Sequence, residues 1–227
     1  MPRGIVWGLV PVTVWEIVFY LLPMTYLVLA SFWEVRNLRL LKTWTLENYR
    51  LILLDATYYS TYFRSLGLAL SVVLITMIAA YPLAYALVFT IPARYRRLCL
   101  IAIVIPFWTS YLIRAYSWQI ILGDTGLINQ LLQALGVIDQ PVHILFTHTA
   151  TRIGLTHFCL PLMTLNLYAV MENIDPHLLE AASDLGARRW RTFYEVILPL
   201  SLPGLVIGSM LVFIFAFADF ITPSLLG

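Results

Sequence analysis

Five long apolar stretches separated by shorter polar ones organise this chain. Residues 4–33 hold a single charge, Glu16, and residues 65–93 hold none. Residues 98–123 hold only Arg114, and residues 153–171 and 196–218 hold none. A helix of about 20 mostly apolar residues crosses a hydrocarbon core of about 30 Å. The pattern therefore predicts five transmembrane helices, over residues 8–31, 63–91, 98–121, 152–172 and 202–224. These runs are too long for barrel strands, and in lipid a helix bonds its own backbone within the segment. The first stretch reads as a span rather than a cleaved signal peptide, being too long for that peptide's apolar region and carrying Glu16 in its middle.

The polar segments between spans set orientation. Arg94, Arg96 and Arg97 follow the second span, and Arg188, Arg189 and Arg191 follow the fourth. Both groups fall on the side of Arg3, which the positive-inside rule makes the cytoplasm. The chain is expected to start inside and end outside, although the opposite loop still holds Arg36, Arg39, Lys42 and Arg50. Residues 34–62 read as a loop of mixed charge with Trp44, Tyr49, Tyr58 and Tyr59. Within 122–151, Ile128, Leu131, Leu132 and Leu135 fit one face of a short helix lying at the membrane surface.

Composition narrows the class. At 61% hydrophobic and 11% charged residues, with a mean hydropathy of +0.85, the chain cannot cover a water-facing surface; soluble domains carry about 25% charged residues. A net charge of +2 says little about partners and gives no reason to expect nucleic acid. Cys99 and Cys159 lie in apolar segments, against a disulfide framework or thiolate metal site. His143, His148 and His157 share no helical face and join no carboxylate cluster, so no metal site is expected. No paired carboxylates or nucleophile elbow suggest catalysis. The single lysine, Lys42, follows no glycine-rich loop, and a P-loop needs both to wrap phosphates. No cofactor is expected in this chain, and any ATP-driven work would need ATP–Mg bound to another subunit.

Residues 174–200 interrupt the membrane pattern. Asp175 suits a helix N-cap, Pro176 the first helical position and Gly186 the left-handed residue that ends a helix. The first helix is expected over 176–185, about 15 Å long. Leu178, Ala182 and Leu185 would line one face, with Glu180 and Asp184 stacked on another. A second segment, 187–198, carries three arginines, Trp190 and Phe193 and is expected to end before Pro199. A solvated connector is the plain alternative, but connectors in bundles are shorter and have no need of such caps. The segment reads as a handle for something outside the membrane.

The spacing Glu180-Ala181-Ala182, three residues, Gly186, nine residues, Val196-Ile197-Leu198-Pro199 resembles the EAA loop of ABC importer permeases, with Val196 where isoleucine is usual. In that family this loop is the coupling helix, seated in a groove of the cytoplasmic ATPase. The resemblance thus implies an ATPase-coupling role for Glu180, Ala181, Ala182, Gly186, Leu198 and Pro199. The run from Pro106 to Trp118, then Leu122-Gly123 and Gly126-Leu127-Ile128-Asn129, is similar to the first permease subunit of spermidine/putrescine-type transporters. So is Phe217-Ala218-Asp219-Phe220-Ile221-Thr222-Pro223.

The implied fold is all-α, a polytopic transmembrane helical bundle in one permease domain over residues 1–227. Five spans are visible of an expected six, the C-terminal span being absent. The implied function is an importer's permease in a bacterial inner membrane, moving a small solute, with polyamine the foremost expectation, by alternating access. Its implied partners are two ATP-binding subunits, a second homologous permease, an extracytoplasmic solute-binding protein and the bilayer. A truncated, non-transporting scaffold or regulatory partner is the alternative.

Ionisable residues within spans are costly and default to functional candidates. Glu16, Arg114 and Asp219 qualify, the last two near the outer ends of their spans. On the functional reading Asp219 or Glu16 attracts a cation, with Tyr116 and Trp118 offering aromatic faces. On the structural reading Arg114 and Asp219 pair or reach interfacial water, and the aromatics belong to the interfacial belt.

Overall fold

A computed structural model describes residues 3–36 and 39–227 of the chain, which forms two compact units, Met1–Phe63 and Arg64–Gly227. In the first, α1 (Arg3–Glu16) runs through a π turn at Ile17–Leu21 into α2 (Leu22–Ser31). Every residue from 10 to 29 is exposed within the chain, an apolar helix surface suited to lipid or to other helices. The expected loop 34–62 is instead structured. Strands β1 (Trp33–Arg36) and β2 (Arg39–Trp44) pair antiparallel, and α3 (Glu47–Leu54) follows. Asn48 ties α3 back by donating to the carbonyls of Ser31 (2.8 Å) and Trp33 (2.9 Å). Asp55 accepts from the Thr57 N–H at 2.8 Å at the start of α4 (Ala56–Tyr85). These bonds from the Thr57 backbone and side chain hold the Asp55 carboxyl below the usual carboxylate range.

The second unit is built around one helix, α8 (His148–Met171), which buries Leu155, Cys159, Met163, Leu167 and Met171. Before it come α5 (Ala93–Val104), α6 (Tyr111–Leu122) and α7 (Leu127–Ala134); after it come α9 (Pro176–Asp184), α10 (Arg189–Thr192), α11 (Leu198–Ala218) and α12 (Ile221–Leu226). The part of α4 in this unit presents Ala69, Val72, Thr76, Ala80 and Ala84 inward, a stripe at helical spacing. Small residues let α11 approach α8 closely. A Cβ on Gly204 would lie 3.1 Å from the Asn166 carbonyl and 2.9 Å from Val170 Cγ2, and one on Gly208 would lie 2.6 Å from Met163 Sδ.

Among the described residues, four helical stretches are long and apolar enough to cross a membrane: Val10–Ser31, Ala56–Thr90, His148–Met171 and Arg189–Ala218. The expected third span, 98–121, is not one helix. Ala93–Trp108 and Tyr111–Ala134 meet at 94°. Pro106 opens a 3₁₀ turn at Ile105–Trp108, then Thr109 and Ser110 are extended, so the α-helical ladder stops there. The expected fifth span, 202–224, is also shifted. Its helix starts at Arg189, runs past Pro199 and stops at Ala218. A π turn at Phe193–Ile197 changes the bonding register just before Pro199, where the proline has no N–H to offer.

The short helix predicted in 122–151 exists as α7, but with a different inner face. Ile128 and Leu132 are half-buried, whereas Leu131 and Leu135 are exposed. Asn129 is buried beside them. It donates to the carbonyls of Gly123 and Val142, both at 3.1 Å, and accepts from the Val142 N–H at 2.8 Å. A polar anchor to the following loop thus sets the rotation of α7, which its apolar spacing alone did not reveal.

Candidate coupling hairpin and substrate-pathway residues

The hairpin is capped at both ends of its first helix. Asp175 accepts from the His177 N–H at 3.0 Å, and Pro176 occupies the first turn. At the other end Gly186 has φ +78°; its N–H reaches the Ser183 carbonyl (2.8 Å) and the Ala187 N–H reaches that of Ala182 (2.9 Å). That pair of bonds is the Schellman closure, which needs a left-handed residue.

Ile174 is buried and Leu179 packs on the core, fixing α9 from behind. Leu178, Ala181 and Leu185 are exposed, Leu185 at 88%, so the apolar edge expected to include Leu178, Ala182 and Leu185 points outward except at the half-buried Ala182. Glu180 is exposed beside it, 3.1 Å from His177. The knob therefore offers an apolar strip with acidic flanks.

The second segment departs from expectation by not ending before Pro199. Leu198 and Pro199 lie within the continuous helix that joins the hairpin to α11. Phe193 packs edge-on against Tyr81 (5.6 Å) and Tyr85 (6.0 Å), and the Tyr81 and Ser201 hydroxyls are 2.9 Å apart. A recess of about 440 Å³, lined by Tyr81, Pro82, Tyr85, Arg189, Trp190 and Phe193, opens beside this anchor.

A second polar cluster lies at the far end of α11, about 30 Å along the helix. Asp219 ends α11 and caps α12, accepting from the N–H groups of Ile221 and Thr222, both at 3.1 Å. Tyr111, at the start of α6, donates to the same carboxylate at 2.6 Å and also bonds the Thr222 hydroxyl. Tyr111 and Thr222 were not singled out from sequence; the only signal was their place inside the quoted motifs. Asp219 borders a recess of about 350 Å³ with Tyr111, Ile214, Phe215, Ala218 and Phe220.

The Arg114 guanidinium sits over two rings, 5.4 Å from Phe107 and 5.1 Å from Phe158, and its buried Nε has no hydrogen-bond partner. Among the described residues no ion pair joins it to Asp219; Tyr111, which bonds Asp219, lines a recess with each of them. Trp118 packs edge-on against His157 at 5.4 Å. Tyr116 is half-exposed on another face of α6, so it does not share an aromatic wall with Trp118. Glu16 is exposed in the N-terminal unit. His143 bonds Asp124 at 2.5 Å, in a loop.

A polytopic helical chain with a capped polar hairpin running into one long span has the architecture of a transport permease. The chain belongs to the family of binding-protein-dependent transport system inner membrane components, which matches residues 10–227. It is a multi-pass inner-membrane permease subunit of an ABC importer.

Its relatives include the spermidine/putrescine transport system permease protein PotB of Escherichia coli (strain K12), 39% identical over 220 residues, covering 96% of this chain and 79% of PotB. The inner membrane ABC transporter permease protein YdcU of the same organism is 34% identical, covering 81% of this chain and 62% of YdcU. Two solved structures share the fold at 18% identity. One is a bacterial ABC transporter involved in the import of the acidic polysaccharide alginate, with TM-score 0.74, covering 96% of this chain and 78% of that one. The other is a bacterial alginate ABC transporter in complex with an alginate pentasaccharide-bound periplasmic protein, with TM-score 0.76, covering 98% and 79%. The non-transporting scaffold is not favoured by these relatives, which are named as transport permeases.

Proposed function

We propose that this permease imports a polyamine of the spermidine/putrescine class by alternating access. Two ATP-binding subunits hold and hydrolyse ATP–Mg, a second homologous permease completes the passage, and an extracytoplasmic solute-binding protein delivers the solute. No cofactor binds this chain itself. The N-terminus and the hairpin lie in the cytoplasm, as the arginines at 94–97 and 188–191 favour. The observation that carries the coupling role is the hairpin's build. An outward apolar strip on α9, flanked by Glu180, is linked through Gly186 to a helix that continues from Arg189 to Ala218. A force on α9 therefore reaches the membrane without crossing a flexible joint after Arg189.

The polyamine assignment is supported by the relatives' names and by carboxylates at Asp219 and Glu16, which suit a cation. Asp219 lines its recess with lone pairs to spare beyond its three donors. Arg114, Trp118 and Tyr116 complete the proposed pathway set, Arg114 as a positive group that a polycation must pass. Gly186→Leu forces a bulky residue into φ +78°, and Glu180→Lys reverses the charge beside the strip. Each variant, assembled with its partners in proteoliposomes, is expected to hydrolyse ATP while importing little spermidine, with membrane insertion unchanged. Normal import by both variants would remove the coupling role.

A further inference from the structure

The hairpin has a second attachment, at its root. Glu172 follows the last residue of α8, where the helix dipole is negative and a carboxylate is disfavoured. It is held there by two partners: the Tyr168 hydroxyl donates to it at 2.5 Å, and Arg96 Nη1 lies 3.6 Å away. Arg96 belongs to the first turn of α5, and its Nη2 also donates to the Val88 carbonyl at 2.8 Å. Val88 lies in the π turn Ala86–Thr90 that ends the α4 span, where late carbonyls lack helical donors. One guanidinium thus joins the α4–α5 turn to the end of α8. The planar fork reaches the two acceptors with two different nitrogens, Nη1 and Nη2, held in fixed geometry, whereas a lysine would have to reach both from one compact ammonium.

Three residues after Glu172, Asp175 caps α9, and the buried Ile174 lies between them. A displacement of α9 therefore acts on Glu172 almost directly. The buried Arg96 Nε has no acceptor in this arrangement. An unmet N–H of that kind fits a joint with a second arrangement better than a fixed strut.

We infer that Arg96 and Glu172 form a second transmission linkage, carrying hairpin motion to α5 and its 94° break in parallel with the route through α11. Both are positioning residues, and the linkage rests on the coupling role proposed for the hairpin. In the reconstituted importer with spermidine as probe, Arg96→Gln and Glu172→Gln should each raise ATP hydrolysed per spermidine imported by about two- to thirtyfold. The double variant should be no worse than the poorer single, since both cut the same contact. Arg96→Lys should fall between wild type and Arg96→Gln. If Arg96→Gln lowers the amount of chain in the membrane, Glu172→Gln decides, because it is isosteric and half-exposed.

Wild-type ratios in both glutamine variants, or additive effects, would overturn the linkage, as would import and hydrolysis falling in proportion. Gly186→Leu is run alongside. If it uncouples while the glutamine variants do not, only this linkage fails. If it too leaves the ratio unchanged, the coupling role of the hairpin fails and the linkage with it.

Discussion

The two ends of α11 make opposite use of their sequence. At the hairpin end, Pro199 stands where a helix is expected to stop, yet the helix runs on from Arg189. At the other end no proline lies at the stop, yet the helix ends at Ala218. The difference lies in what the backbone groups find. Before Pro199 a π turn shifts the bonding register around the missing N–H. At Asp219 a carboxylate offers the next two N–H groups a better partner, and Tyr111 fixes that carboxylate in place. A helix ends where side chains take over its hydrogen bonds, and proline by itself is a weaker stop. The consequence is functional: the hairpin end is continuous with the membrane, and the far end is jointed.

Substitutions can break or sharpen this contrast. The largest effect is expected at the seam that both ends share. Gly204→Ala places a methyl against the Asn166 backbone and should cost about 1–3 kcal/mol. Gly208→Ala should cost less, because the Met163 thioether it meets can move. Thermal unfolding in detergent compares the two. Next comes the far end. Asp219→Ala should destabilise by about 0.5–2 kcal/mol through the lost cap. Asp219→Asn keeps an acceptor and should spare most of that stability while reducing spermidine uptake, which separates the cap from the charge. Equal uptake by Asp219→Asn and wild type would make the residue structural only.

Pro199→Ala should change stability by no more than about 0.5 kcal/mol, since the helix already continues through that position. The smallest effect is expected at Asp55. Its carboxyl is held below the usual range by bonds from Thr57, so its contribution is present above the ordinary carboxylate value and is lost as pH falls through the lowered one. The protection of the Thr57 amide, its exchange rate relative to an unstructured chain at the same pH, should fall on acidification in wild type and stay flat in Asp55→Asn.

Local signals are legible in the sequence and distant ones are not. Asp175, Pro176 and Gly186 act within a few residues of themselves, so the limits of α9 were legible to within one residue. The break at Thr109–Ser110 was hidden because an apolar window averages over it, and a proline inside such a window does not say whether the helix kinks or stops. The end of α11 was hidden for a similar reason. Asp219 looked like a charge within a span, and its partner Tyr111 is 108 residues away. Asn129 fell outside the apolar pattern used to orient α7, although it is the residue that orients it. Strands β1 and β2 lie in a segment of mixed charge that carries no long periodicity. The motif resemblance supplied the family, but could not tell which motif residues face a recess and which cap a helix.

The central claim is that the outward strip of α9 receives the ATP-driving partner. A photo-crosslinking residue at Leu185, 88% exposed on that strip, tests it in native membranes without dissolving the assembly. Crosslinking to an ATP-binding subunit, lost when Glu180→Lys is added, is the predicted result. Crosslinking only to lipid or to unrelated membrane proteins would contradict it.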